Sequence, residues 1–340
     1  MVAYVNDMMK TFSAPLLAAA AVICATSAQA DEEVTLRLKW LTQAQFAGPY
    51  VAEAMGFYDE EGLDVTIQPG GPNINVETMV ASGANTFGIA SGTEGVLASR
   101  AKGLPIKAIG IDHQVTPYVY VTKPDSGIKT AADFKGKKVA TWFTGPQYVL
   151  YSVLAANGVE QSDVNIISQS VTLQPFIDGE FDVATATLYN EYNTLLAKGL
   201  TDLVVISPED SGMVSQQDAI ITSDEMIAEK PEVVQGFLDA TLRGWKYAFE
   251  HPEEAIDMVM DAGTGLDRDH QTKMLEKVQE LMTGTTGTSE GLGYLNMDAI
   301  STIEKNLVKY KAIDESVDIT TAFDSSFWEN VPAEYKTVAK

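Results

Sequence analysis

The stretch VTLRLKWLTQAQFAGPYVAEAMGFYDEEGLDVTI, Val34 to Ile67, places the chain in the α/β class. Val34, Leu36 and Leu38 alternate with polar residues, which is the period of a half-buried strand. The strand pattern ends at Trp40. A loop of side-chain amides and an aromatic ring follows, with Gln43, Gln45 and Phe46. A helix starting near Phe46 would carry Tyr50, Val51 and Ala54 on one side. Gly56 and Gly62 bracket an acidic turn, and Leu63 to Ile67 returns to an extended apolar pattern. In open α/β sheets, ligands sit beyond the carboxyl ends of the strands. Trp40 and the QAQFAG loop lie at such an end and are expected to form one wall of a small-molecule site.

The alternation continues beyond this unit. A Gly-Gly-Pro loop (70–72) precedes an expected helix over 74–81, and Phe87 to Ala90 reads as a short buried strand. The polar turn Ser91-Gly92-Thr93-Glu94 can cap the next helix. Strands are expected at 106–111 and 118–122, after which the pattern restarts with a short helix, a Gly turn and a strand over AADFKGKKVAT (131–141) and strands near 164–167, 182–187, 203–206 and 219–222. Helices between them imply a mostly parallel sheet covered on both faces. From Ser223 the chain turns helical, with segments over 231–249, 253–262, 267–283 and 297–310 and one possible short strand near 317–320. The organisation reads as lobe, lobe and return: 31–121 with 218–340, and 122–217. The two crossovers, near Val121-Thr122 and Gln217-Asp218, would form a hinge, and hinge closure over a ligand is the motion such a layout permits.

The chain has 340 residues, 45% of them hydrophobic, which suits a folded protein with more than one core. Residues 1–30 are expected to be a cleaved secretory signal. Lys10 precedes the apolar run Leu16 to Cys24, and Ala28-Gln29-Ala30 is a small-x-small cleavage site. That run is too short for a permanent membrane span. Met8 or Met9 would make a better signal start than Met1. A lipoprotein anchored at Cys24 is the rival reading, but lipidation wants a small residue before the cysteine and Ile23 is not small. Cleavage would remove the one cysteine, leaving no disulfide and no thiol chemistry. A net charge of −24 makes nucleic acid and anionic lipid poor partners. No cofactor motif is found: GxSxG, P-loop and GxGxxG are missing, and His113, His251 and His270 are far apart with no metal spacing. A non-enzymatic, metal-free monomer is the expectation.

QAQFAGPYVAEAMGFYDEEGLDVTI (43–67) resembles the opening of solute-binding proteins of ABC transporters in the thiamine-precursor and alkanesulfonate branch. The PGGP loop, ASGTEGVL (90–97), SGIKTAADFKGKKVA (126–140) and PEVVQGFLDATLRGWKYAFEHPEEA (231–255) extend the likeness over most of the chain. The resemblance implies a two-lobe type II periplasmic binding fold, a periplasmic location, and delivery of a small solute to a permease in the inner membrane. The same superfamily includes pyrimidine synthases with a cysteine-rich CCCFC motif, which this chain lacks.

A closed cleft needs a few placed polar groups on apolar or aromatic walls. Trp40 is the first stacking candidate, with Phe46 beside it. Gln43 and Gln45 offer both donors and acceptors to a ring edge. Ser91 at a helix start and His113 after a strand could approach from the first lobe. Tyr189, Asn190 and Glu191 resemble the position where pyrimidine-binding members place aromatic, amide and acidic groups. The mapped loops carry no arginine, and Lys123 reads as a linker residue. A neutral or cationic nitrogen heterocycle, either a thiamine pyrimidine precursor or a riboflavin-like compound, therefore fits better than a sulfonate or nitrate.

Overall fold

The computed structural model describes residues 31–284 and 290–338; the expected signal segment lies outside the described residues. Two five-stranded sheets organise the chain. The first contains β1 (Glu32–Leu38), β2 (Leu63–Gln68), β3 (Phe87–Ala90), β4 (Ile106–His113) and β10 (Gln217–Ser223), in the order β2-β1-β3-β10-β4. The second contains β5 (Tyr118–Thr122), β6 (Lys138–Thr141), β7 (Asn165–Ser168), β8 (Val183–Thr187) and β9 (Val204–Ile206), in the order β7-β6-β8-β5-β9. In each sheet four strands point one way. The fourth position holds the strand that has just crossed over, β10 or β5, and it runs antiparallel to both neighbours.

This reversal fixes where a site can form. The parallel strands β1, β3, β6 and β8 end at one edge, and β5 and β10 begin there because they run the other way. Both passages between the sheets, 114–117 and 207–216, therefore meet the carboxyl ends of the parallel strands, where α/β folds bind ligands.

Helices follow the parallel strands: α1 (Ala47–Ala54), α2 (Phe57–Glu60), α3 (Val76–Ala81), α4 (Thr93–Ala101), α5 (Pro146–Ala156), α6 (Gln174–Ile177) and α7 (Glu191–Ala197). Pro146 at the first position of α5 presets the helical φ and has no N–H to leave unpaired. After β10 come α8 (Asp224–Glu229), α9 (Pro231–Glu250), α10 (Pro252–Ala262), α11 (Arg268–Thr283) and α12 (Met297–Lys309). The amphipathic α9 buries Val234, Phe237, Leu238 and Trp245. Phe237 stacks on Phe87 of β3 at 3.8 Å and on Tyr58 of α2 at 5.4 Å between ring centroids. Each such buried side chain contributes roughly 1.5–3 kcal/mol, so α9 is fastened to the first sheet by its own apolar stripe.

One expected element is different. The segment Ile319–Ala322 is a helical turn, not a strand. Asp318 caps it, accepting from the Thr320 N–H at 3.0 Å and the Thr320 hydroxyl at 2.8 Å. A β-branched run here lost to a capping aspartate. Two boundaries also moved: β4 extends through His113, and β10 begins at Gln217.

Candidate functional site

A tight cleft lies at the shared strand edge, with an enclosed volume of about 40 Å³. That is well below the ~300–1,000 Å³ of open small-molecule pockets, so the two walls must part to admit a ligand. Lys39, Trp40, Gln43 and Gln45 come from the end of β1 and the 3-10 turn after it, and Ser91 comes from the turn after β3. From the second sheet come Tyr118 at the start of β5, Trp142, Thr144 and Pro146 after β6, and Thr187, Tyr189, Asn190 and Glu191 after β8.

The aromatic walls face each other across the two sheets. Trp40 and Trp142 meet edge-on, with centroids 5.3 Å apart and planes at 71°. Other contacts bridge the same gap. The Ser91 hydroxyl donates to the Thr144 carbonyl. Lys102 Nζ donates to the Tyr148 hydroxyl at 2.9 Å, and His270 Nε2 lies 3.0 Å from Asn190 Oδ1. Both sides of the cleft are thus in contact, the arrangement of a closed clamp.

Glu191 is 5% exposed and opens α7. Its Oε2 accepts from the Thr187 N–H at 3.0 Å and the Thr187 hydroxyl at 2.6 Å, and its Oε1 from Asn190 Nδ2 at 2.9 Å. Burial pushes the carboxyl up, and the Thr187 hydrogen bonds and the positive charge of Lys39 partly offset this. Tyr118 and Tyr189 are raised well above the usual phenol range, first by burial and then by Asp218, so both stay protonated as donors. The Tyr118 hydroxyl donates to Gln217 Oε1 at 3.1 Å.

Beneath the opposite wall lies a charged cluster. Lys39 forms an ion pair with Asp218. Gln45 Nε2 donates to the other Asp218 oxygen at 2.7 Å, and Gln43 Nε2 donates to Gln45 Oε1 at 2.7 Å. His113 Nδ1 lies 3.6 Å from Asp218, and its ring is 5.4 Å from that of Tyr189. Burial pulls His113 down to about 4, so it is neutral at pH 7 despite Asp218. Burial pushes Asp218 up as well, but Lys39, His113 and the hydrogen bonds from Lys39 and Gln45 outweigh it, and its carboxyl ends below the usual range.

Seven of the nine residues singled out from the sequence line this cavity: Trp40, Gln43, Gln45, Ser91, Tyr189, Asn190 and Glu191. Phe46 does not. The 3-10 turn Ala44–Phe46 rotates its ring into the first core, where it is 1% exposed. His113 is also off the wall, because β4 runs two residues further than expected and buries it beside Tyr189. The sequence reading missed Lys39, Tyr118, Trp142 and Thr187. The expectation that the cleft carries no basic residue is corrected by Lys39. It sits at the end of a strand of alternating pattern, where the period gives no sign that its side chain turns towards the cleft.

Residues 43–255 match the model of the family described as NMT1/THI5 like. The riboflavin-binding protein RibY of Chloroflexus aurantiacus is 27% identical over 87% of this chain and 86% of its own. The formylaminopyrimidine-binding protein of Halalkalibacterium halodurans is 26% identical over 79% of this chain and 84% of its own. A Legionella pneumophila relative named 4-amino-5-hydroxymethyl-2-methylpyrimidine phosphate synthase is 25% identical over 88% and 93%. Among solved structures, the periplasmic aliphatic sulphonate binding protein SsuA of Escherichia coli superposes with a TM-score of 0.64 at 16% identity, covering 85% of this chain and 91% of that one. That likeness establishes the periplasmic binding protein fold, and with the matched residues spanning more than half of the sequence, the chain belongs to the NMT1/THI5-like family.

Proposed function

We propose that the protein is the extracytoplasmic solute-binding component of an ABC importer and that its cleft takes one small, flat, neutral nitrogen heterocycle. A thiamine pyrimidine precursor or a riboflavin-like compound is the ligand class. The observation that carries this reading is the pair of indoles, Trp40 and Trp142, offered from opposite sheets above a rim of amide, hydroxyl and carboxyl groups. Indole faces cover a planar ring, and the rim sets its orientation. Glu191 and Asn190 would read a ring edge that donates protons; Gln43 and Gln45 would read the opposite edge. The expected lobe boundaries at 121/122 and 217/218 move to the passages 114–117 and 207–216, because β5 lies wholly in the second sheet and β10 in the first. The two lobes so divided would close over the ligand and present a joint surface to the permease in the inner membrane.

A synthase is the rival from another class, since one relative carries that name. Binding is favoured because the chain holds a single cysteine, Cys24, and so has no cysteine-rich motif. A thermal-shift screen with pyrimidines, flavins, sulfonates and polyamines tests the reading. A ligand at about 100 times its dissociation constant stabilises by roughly 2.7 kcal/mol. A heterocycle hit, with the ligand recovered intact by mass spectrometry, is expected. A sulfonate hit alone, or a consumed heterocycle, would refute it.

A further inference from the structure

The ion pair under the cleft has a polarity that bears on what the cleft admits. Lys39 belongs to the cavity wall, while its partner Asp218 does not; Asp218 is 1% exposed and sits directly behind it. Asp218 is also placed by the chain crossing itself. It is the second residue of β10, the strand that returns from the second sheet, and its φ of 59° is left-handed. A non-glycine residue in that region is uncommon, and aspartate and asparagine tolerate it best. Two groups hold its carboxylate in place, Lys39 and Gln45 at 2.7 Å, and the His113 ring lies near it with Nδ1 3.6 Å away. His113 is buried without a charge of its own, so Lys39 supplies the compensating cation.

A lysine alone on a cavity wall would be an anion site. Here the countercharge is built in from behind. We propose that Asp218 is the resident counter-anion of Lys39 and that the pair sets the charge selectivity of the cleft. A neutral acceptor on the ligand, such as a ring or formyl carbonyl, shares Lys39 Nζ with Asp218, and a small anion is excluded. An anion would have to enter a buried region that already holds one carboxylate, with a second acid, Glu191, across the cavity. This deepens the proposed heterocycle-binding function, on which its ligand arm rests, by requiring a carbonyl acceptor on the ring or its substituent.

The test uses isothermal titration of the wild-type protein, Asp218→Asn and the double variant Lys39→Met/Asp218→Asn. The probes are riboflavin, a formylaminopyrimidine, nitrate and ethanesulfonate. Asparagine keeps the left-handed backbone and one acceptor for Gln45. The double variant replaces a buried pair by neutral groups, a change that folded proteins tolerate. Asp218→Asn is expected to bind nitrate or ethanesulfonate at least tenfold more tightly than the wild type. The double variant is expected to bind neither anion and to bind the carbonyl-bearing heterocycle about tenfold or more weakly, the effect of one hydrogen bond from a charged donor. A folded Asp218→Asn protein with no gain in anion binding overturns the proposal. Should that variant fail to fold, the double variant decides, and heterocycle affinity within threefold of wild type overturns it. If the wild type binds no heterocycle, the proposed function fails, while the anion arm still judges the ion pair by itself.

Discussion

Glu94→Gln should make the protein more stable at alkaline pH and slightly less stable near pH 4.5. Glu94 lies in the first turn of α4, is 4% exposed, and accepts from Gln217 Nε2 at 3.0 Å. It borders a small cavity with Val149 and Ser152 of α5, Met213 and Val214 of the second crossover, and Ile303 and Leu307 of α12. Its charged neighbourhood is sparse: Tyr118 and Tyr120 are the titratable groups that feel it. Burial therefore pushes its carboxyl from the ordinary 4.5 up to about 7, against the pull of hydrogen bonds from its own backbone, Ser215 and Gln217. Below 4.5 the group holds its proton in both the folded and the unfolded chain. Between 4.5 and about 7 the native state holds a proton that the unfolded chain has released, so stability falls as pH rises. Above that range both states are ionised and the loss is complete. At about 1.4 kcal/mol per pH unit, the gap amounts to about 3 kcal/mol. The glutamine retains one acceptor oxygen and forfeits the other, a loss of about 1 kcal/mol, which leaves a net gain of about 2 kcal/mol at pH 8. Urea unfolding of both proteins from pH 4.5 to 8.5 measures it. A variant-minus-wild-type difference that stays flat across that range, or that grows towards acid, would refute the assignment of Glu94 as a buried acid ionised against its environment.

Trp142→Ala should weaken binding of the heterocycle by about 2 kcal/mol, in the range of buried aromatic anchors, and abolish most of the ligand-induced change in tryptophan fluorescence; an unchanged titration would remove Trp142 from the wall. Tyr148→Phe deletes the hydroxyl that receives Lys102 across the lobes. Because that contact is exposed, the expected effect is at most about 1 kcal/mol, read as a few-fold faster ligand dissociation in stopped flow with an unaltered melting temperature. Gly244→Ala would drive a methyl group into the Gly48 carbonyl and Ala52 where α9 crosses α1. It should destabilise by about 1–3 kcal/mol, measured by denaturant midpoint, and a neutral result would mean that the two helices are less tightly apposed.

The fold was readable because its elements are short and separated by turn residues. Phe87 to Ala90 and Tyr118 to Thr122 form strands with the bounds their apolar runs suggest. Turns that follow a strand were also readable as a wall, which is why Trp40, Gln43, Glu191 and Asn190 gather around one cavity. What stayed hidden depends on strand direction and on rotation about the chain. Asp218 reads as an ordinary polar residue before an apolar run. Only the antiparallel insertion of β10 between β3 and β4 brings the start of that run to the edge where β1 ends, and so puts a carboxylate against Lys39. Trp142 was hidden for a related reason. It follows β6, whose parallel pairing with β8 sends both strands towards the cleft, and only with both sheets in place does its ring meet that of Trp40. Phe46 shows the reverse error: a promising aromatic at a strand end was turned inward by a single 3-10 turn. The periodicity of one segment reports its own buried face, whereas a cleft between two sheets is assembled from residues far apart in the chain, as Ser91 is from Thr144 and Trp40 from Trp142. Its charge balance is therefore set by the crossover strand, the element with the least distinctive sequence.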